Sequence, residues 1–204
     1  MCANPRRAHG LTLAVAITLS VAGLACDLGP TEPVSPLESA WTDFREGRID
    51  AASSAFEAKL SSADLAAEAH LGVGWCRLVR AQLPDAITHL RSALAFEDGT
   101  DARVALALAD AATSEWSTAD SFAALALDAQ PSYIFRHRAD INFADVHLVR
   151  SQAAYARGDF ASSERELRMA YASVQLPPSS DADYVARLAQ QIEVAATALR
   201  GVWG

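Results

Sequence analysis

The residues of this chain best suited to joint chemistry are His137, Asp140, Asp145 and His147, two imidazoles and two carboxylates close together in sequence. Such a set could ligate zinc or iron, and on that reading the chain is a metal-dependent enzyme or an enzyme subunit. Against it, the spacing fits no established ligand pattern. Asp145 also stands where a helix running through Leu148 would begin, and exposed loops ordinarily carry such residues. The chain contains no nucleophile elbow, no phosphate-cradling glycine loop, no His-Glu-x-x-His and no Cys-x-x-Cys. His70 and His89 stand singly on helical stretches, and His9 falls in the N-terminal segment. Cys76, set among apolar neighbours, reads as a small buried hydrophobe. The expectation is therefore a non-catalytic protein with no metal and no cofactor.

Composition narrows the partners. The chain has 204 residues, 51% hydrophobic and 21% charged, enough for one domain with a sizeable core. Its formal charge is −8, and loss of Arg6 and Arg7 with an export signal takes it to about −10. The basic residues are scattered among more numerous acids. A nucleic-acid partner is disfavoured, because such surfaces need clustered Lys and Arg.

The first 25 residues read as a targeting segment: Arg6 and Arg7 are the positive region, Leu11 to Ala22 the apolar region, and Gly23-Leu24-Ala25 the small-residue approach to a cleavage point. The apolar run, about 15 residues, is shorter than the ~20 that span a bilayer. With the next residue, Ala22-Gly23-Leu24-Ala25-Cys26 resembles the bacterial lipobox, with Gly23 and Leu24 where that motif usually has Leu and Ala or Ser. The resemblance implies acylation of Cys26 and a protein lipid-anchored to the cell envelope, facing the periplasm or the outside, at the inner or the outer membrane. Ordinary secretion as a soluble protein is the alternative. Residues 26–36 contain three prolines and no apolar period, as an extended tether does.

The rest of the chain repeats. At an offset of 34, Ala40 matches Gly74, Trp41 matches Trp75, Phe44 matches Leu78, Gly47 matches Ala81, Ala52 matches Ala86, Phe56 matches Leu90 and Leu60 matches Leu94. Small residues fall at the close-approach points of two helices and at the turn between them, and bulky apolar residues recur at helical spacing. A third unit carries Trp116, Ala119, Ala123 and Leu127. A fourth carries Tyr155, Gly158, Phe160 and Leu167. Tyr184, Val185, Leu188, Ile192, Ala196 and Leu199 form one last stripe. This pattern resembles the tetratricopeptide repeat family over about Pro36 to Leu176. The resemblance implies an all-α fold, with antiparallel helix-turn-helix repeats stacked as a right-handed α-solenoid. The units are 37–66, 67–100, 101–131 and 146–178, with an insertion at 132–145 and a C-terminal capping helix at 179–204.

By the same resemblance the first helices line a groove that binds another protein, through an apolar peptide or helix, and the groove residues are Trp41, Phe44, Leu71, Trp75, Leu78, Gln152 and Tyr155. The Lys, Asn and Arg with which chaperone adaptors of the family clamp a carboxylate are replaced by Leu37, Trp41, Gly72, Asp101 and Ala105. Two readings of the tryptophans stay open. Either they anchor a partner, or the chain's own tether, cap helix or inter-repeat core covers them. Self-association through the groove is a third possibility. Likewise Tyr133, Phe135 and Phe143 of the insertion either pack across the ends of the third and fourth units or form a partner contact patch. The functional expectation is a membrane-anchored interaction scaffold of an envelope complex.

Overall fold

Gly47, Ala81, Ser114 and Gly158 all lie in the left-handed backbone region, with φ of 75°, 55°, 61° and 78°. In the computed structural model, which describes residues 35–200, each of them ends a helix in the same way. At the first, the Gly47 N–H donates to the Phe44 carbonyl at 3.1 Å and the Arg48 N–H to the Asp43 carbonyl at 2.8 Å. The pair of bonds recurs from Ala81 and Gln82 to Leu78 and Arg77, from Ser114 and Glu115 to Ala111 and Asp110, and from Gly158 and Asp159 to Tyr155 and Ala154. The two crossed bonds satisfy carbonyls that the helix end leaves without partners, and they turn the chain so sharply that a new helix begins at once.

Four helix pairs result: α1 (Glu38–Arg45) with α2 (Ile49–Glu57), α3 (Ala66–Val79) with α4 (Leu83–Phe96), α5 (Thr100–Ala112) with α6 (Trp116–Ala129), and α7 (Phe143–Ala156) with α8 (Phe160–Ala170). A single helix, α9 (Tyr184–Arg200), follows. The described residues are all-helical apart from one isolated antiparallel bridge between Ile134 and Asn142. Helices pack in sequence order, and each first helix also touches the next first helix, α1 on α3, α3 on α5 and α5 on α7, with α9 laid on α7 and α8. No described helix is long and apolar enough to cross a membrane. The N-terminal segment, Cys26 and the tether as far as Val34 lie outside the described residues.

Close packing depends on small residues where the sequence places them. A Cβ on Gly72 would sit 2.5 Å from the Phe56 ring, and one on Gly74 would sit 2.6 Å from the Leu90 side chain. Helix α3 therefore approaches α2 and α4 with no room for a methyl group. One apolar cluster runs from Leu37 through the first three pairs to Val149. A second, with Leu167, Tyr184, Leu188 and Ile192, lies beneath α9. Each fully buried Leu or Phe in them contributes about 1.5–3 kcal/mol.

Two boundaries differ from the sequence expectation. Helix α7 begins at Phe143, inside the stretch read as insertion. Asn142 caps it by accepting the Ala144 N–H at 3.0 Å, while the Asp145 carboxylate accepts the Asn142 N–H at 2.7 Å. Asp145 thus closes a capping box from the first turn and does not itself start the helix. The last helix starts at Tyr184, after an irregular stretch in which Val174 is buried.

Ala81 and Ser114 hold a backbone conformation that a side chain resists by about 1–2 kcal/mol. Ser114 is exposed, so Ser114→Gly should raise stability by roughly 0.5–1 kcal/mol, read as a higher urea midpoint with an unchanged slope. A lowered midpoint would contradict this account of the turn.

Candidate binding site

The stretch between α6 and α7 is a short hairpin. After Pro131 the Tyr133 N–H donates to the Gln130 carbonyl, and two arms then pair: Phe135 N–H to the Ile141 carbonyl at 2.9 Å and Phe143 N–H to the Tyr133 carbonyl at 2.8 Å. The Arg138 N–H, donating to the Phe135 carbonyl, and the Ile141 N–H, donating to the Arg138 carbonyl, close the turn. Along the first arm Tyr133, Phe135 and His137 are buried while Ile134 and Arg136 point outward, the period of two of an extended strand.

Each inward residue meets a different first helix. The Tyr133 hydroxyl donates to Asp101 Oδ1 on α5 at 2.9 Å. Phe135 stacks on Trp75 of α3, with centroids 4.4 Å apart and planes 19° from parallel, and stands edge-on to Trp41 and Phe44. His137 stacks on Trp41 of α1 at 3.8 Å and 8°. The arm therefore crosses α5, α3 and α1 in turn, and beneath it Trp41 and Trp75 are 0% exposed.

Polar groups at the tip are matched. Glu68 accepts the Trp41 Nε1–H at 2.8 Å and the Ser35 hydroxyl, and Arg136 lies within 3.9 Å of it. Arg136 Nε also donates to His137 Nε2 at 2.8 Å, and Arg45 Nη1 lies 3.4 Å from His137 Nδ1. Burial, reinforced by the guanidinium groups of Arg136 and Arg45, pushes His137 down to about 3, so it is neutral at physiological pH.

These contacts revise the expected groove. Trp41, Phe44 and Trp75 are not open binding surface, because the hairpin fills the face they line. Neither the described end of the tether nor the cap helix is the occupant. Tyr133 and Phe135 are core residues against the first three pairs, not across the ends of the third and fourth; Phe143 alone of the expected patch stays partly exposed, its ring edge toward His147. Leu71 lies on a recess of about 340 Å³ with Glu68, Asp101 and Arg136. Tyr155 packs on Phe160.

The four residues considered for metal binding do not converge. His137 lies under the hairpin, Asp140 pairs with Arg138 at 2.6 Å, Asp145 caps α7, and His147 Nδ1 meets Glu166 Oε2 at 2.8 Å. Cys76 is fully buried, which pushes its thiol up to about 12. The histidines set aside as solitary do meet: His70 Nδ1 and His89 Nδ1 are 3.0 Å apart across α3 and α4, and burial lowers both. The ring planes are tilted by 37°, and the separation suits one N–H···N bond between them. Only the position of the turn at Ala81 pointed to that contact, by folding α4 back along α3.

A larger, more apolar recess of about 490 Å³ opens among α3, α5, α7 and α9. Leu78, Leu108, Ala111, Trp116 and Leu148 form its walls, Gln152 supplies an amide, and Asp145 and Glu193 are its charged residues. Leu78 and Gln152 are thus expected groove positions that line open space here, as Leu71 does in the smaller recess.

No protein-family model matches this chain, and no curated protein is found similar to it. The likeness to tetratricopeptide repeats rests on the residues quoted above. The recess has the size and apolar lining of a ligand or side-chain pocket.

Phe135→Ala should lower stability by about 3–5 kcal/mol, since it empties a stacked position between two buried tryptophans, and a melting temperature within a degree of the parent would return Phe135 to the surface. A second expectation concerns pH. The unfolded imidazole binds a proton below about 6.5 and the folded one only near 3, so the contribution of His137 falls as the solution is acidified across that window. The stability advantage of the parent over His137→Phe should therefore shrink from pH 7 toward pH 4, by up to about 1.4 kcal/mol per unit. An advantage constant with pH would mean that the imidazole is solvated.

Proposed function

We propose that this chain is a non-catalytic protein-interaction scaffold of tetratricopeptide type, its helix pairs stacked as a right-handed α-solenoid. We further propose that lipid on Cys26 holds it at a membrane of the cell envelope, where it binds an apolar peptide or helix of an envelope complex. The open recess bordered by Leu78, Leu108 and Gln152 carries the reading. Over the neighbouring face the chain already holds an extended segment, through Trp75 on Phe135 and Trp41 on His137, so the first helices suit this kind of recognition. The recess continues the same row of first helices where the hairpin stops.

The enzymatic alternative, metal chemistry at His137, Asp140, Asp145 and His147, is less well supported, because those side chains are engaged with four separate partners. The net charge of −8 and the dispersed arginines speak for a protein partner over a nucleic acid. The lipid anchor rests on the sequence around Cys26, and soluble secretion is the competing outcome.

One experiment tests both halves. In cells expressing the full chain, cross-linking should capture a specific partner in the membrane fraction. Leu108→Glu, at a half-buried recess position, should lose that partner while staying in the membrane fraction, whereas Cys26→Ala should move the chain to the soluble fraction. An unchanged capture by Leu108→Glu would remove the recess as the binding surface, and an unchanged fractionation of Cys26→Ala would remove the anchor.

A further inference from the structure

We infer that His70 and His89 form a site for a divalent transition ion of the class that imidazole favours, with zinc(II) as its test case, held between α3 and α4 by the two Nδ1 atoms. Neither histidine lines either recess, so the site stands apart from the proposed partner binding.

Geometry carries the inference. The two Nδ1 atoms, one from each helix of the second pair, are 3.0 Å apart, and the ring centroids are 5.2 Å apart. Zinc–imidazole bonds of about 2.0–2.1 Å at a tetrahedral angle set two ligand nitrogens roughly 3.3 Å apart. The pair therefore has to part by only about 0.3 Å, with a modest turn of each ring toward the ion. Both residues are partly exposed, so an ion reaches them from solvent. Phe96 stacks on His70 with centroids 5.7 Å apart and planes 20° from parallel, which backs that ring on the side of α4.

The protonation state suits a ligand pair. One N–H···N bond joins two neutral rings, one Nδ1 carrying the proton and the other accepting it. When the ion binds, the donor ring takes its proton on Nε2 instead, both Nδ1 lone pairs face the metal, and no proton is lost overall. Burial, and then each other's charge, hold His70 down, while burial and then Arg77 hold His89 down against Asp85 and Glu57. Neutral imidazole is the form that binds metal. Arg77 is itself paired with Glu57 at 2.7 Å, which weakens its opposition to a dication.

Among the described residues no group of three or more His, Cys, Asp or Glu is placed to hold an ion, so the remaining positions fall to water. The ion is thus exchangeable, unlike one in a closed structural cage. Nitrogen donors alone select against magnesium and calcium, which take oxygen ligands. A bound ion would clasp α3 to α4.

The test uses the full chain labelled with nitrogen-15, titrated at pH 7.5 with zinc chloride and separately with magnesium chloride. Two-bond proton–nitrogen spectra report the ring nitrogens of His70 and His89 themselves, so ions held elsewhere in the chain do not register. The Nδ1 signals of both rings should shift together along one saturable curve with zinc and stay in place with magnesium. Loss of a ligand costs more than loss of an outer-shell partner, so His70→Gln and His89→Gln should each weaken zinc at the remaining ring by more than about tenfold. Circular dichroism confirms that the variants are folded, and should one unfold, the other decides. Separate curves for the two rings, or a remaining ring that binds zinc as tightly as the parent pair, would make these ordinary surface histidines and overturn the site. No response to zinc in large excess would overturn it too, leaving the contact a hydrogen bond alone.

Discussion

A two-helix unit exposes an apolar stripe that only a neighbour can bury, and among the described residues α1, at eight residues, packs only on the helices α2 and α3. Trp41 and Phe44 on α1 and Trp75 on α3 line the face that the stretch between α6 and α7 covers. The hairpin at 133–143 resolves this constraint, laying Phe135 and His137 over the row and leaving both tryptophans fully buried. In a simple repeat stack each unit contacts only the next. Here residues between the third and fourth pairs close over the first, and the Arg45 to His137 contact spans 92 positions. The first three pairs are thereby tied into one cooperative body, because loss of the hairpin uncovers all of them together.

The tip of the hairpin shows why position 137 is an imidazole. A phenyl ring could stack on Trp41 equally well, but it could not accept the Arg136 N–H. Arg136 lies between His137 and Glu68, and Glu68 is also the acceptor for Trp41 Nε1 and for Ser35. Ser35 thus fastens the start of the described chain to the same cluster, next to the segment that leads back to Cys26. The cost is a histidine that cannot be charged in place, since burial and two guanidinium groups oppose it.

The helical architecture was legible because its determinants are local. Gly47, Ala81, Ser114 and Gly158 mark the same point of successive pairs even though two of them lack the glycine the conformation favours, since the crossed backbone bonds fix the turn whatever the side chain. Gly74, read as a close-approach position, has Leu90 against it. The fate of the Trp41 and Trp75 row was not legible, because what covers it lies far along the chain and pairs through side chains whose register no local rule predicts. A clue was present in the alternation Tyr133-Ile134-Phe135-Arg136-His137, which is a strand period inside a helical protein. Read as loop composition, it placed His137 with solvent-facing metal ligands; read as a strand, it places His137 on the inward face. Asp145 was misplaced for a similar reason, since its carboxylate serves the cap from the third position of the helix and not from the residue before it.

The hairpin also determines what kind of binding is left to the fold. The recess is bordered by α9 at Glu193 and Ala196 and no residue of the hairpin lines it, so the hairpin covers one stretch of the first helices and the recess opens on another. A space of about 490 Å³ holds one side chain and not a long extended peptide, so affinity at such a place has to come from one buried anchor and the groups around it, as at the centre of a small interface. Discrimination then rests on few contacts. An apolar wall of Leu78, Leu108 and Leu148 distinguishes poorly among large hydrophobic side chains, because shape and area alone separate them by little. Asp145 and Glu193 are the charged residues of the lining, and the Asp145 carboxylate is already committed to the α7 cap. By burying Trp41 and Trp75, the hairpin leaves Leu78, Leu108 and Leu148 as the apolar wall at which a partner would meet the first helices.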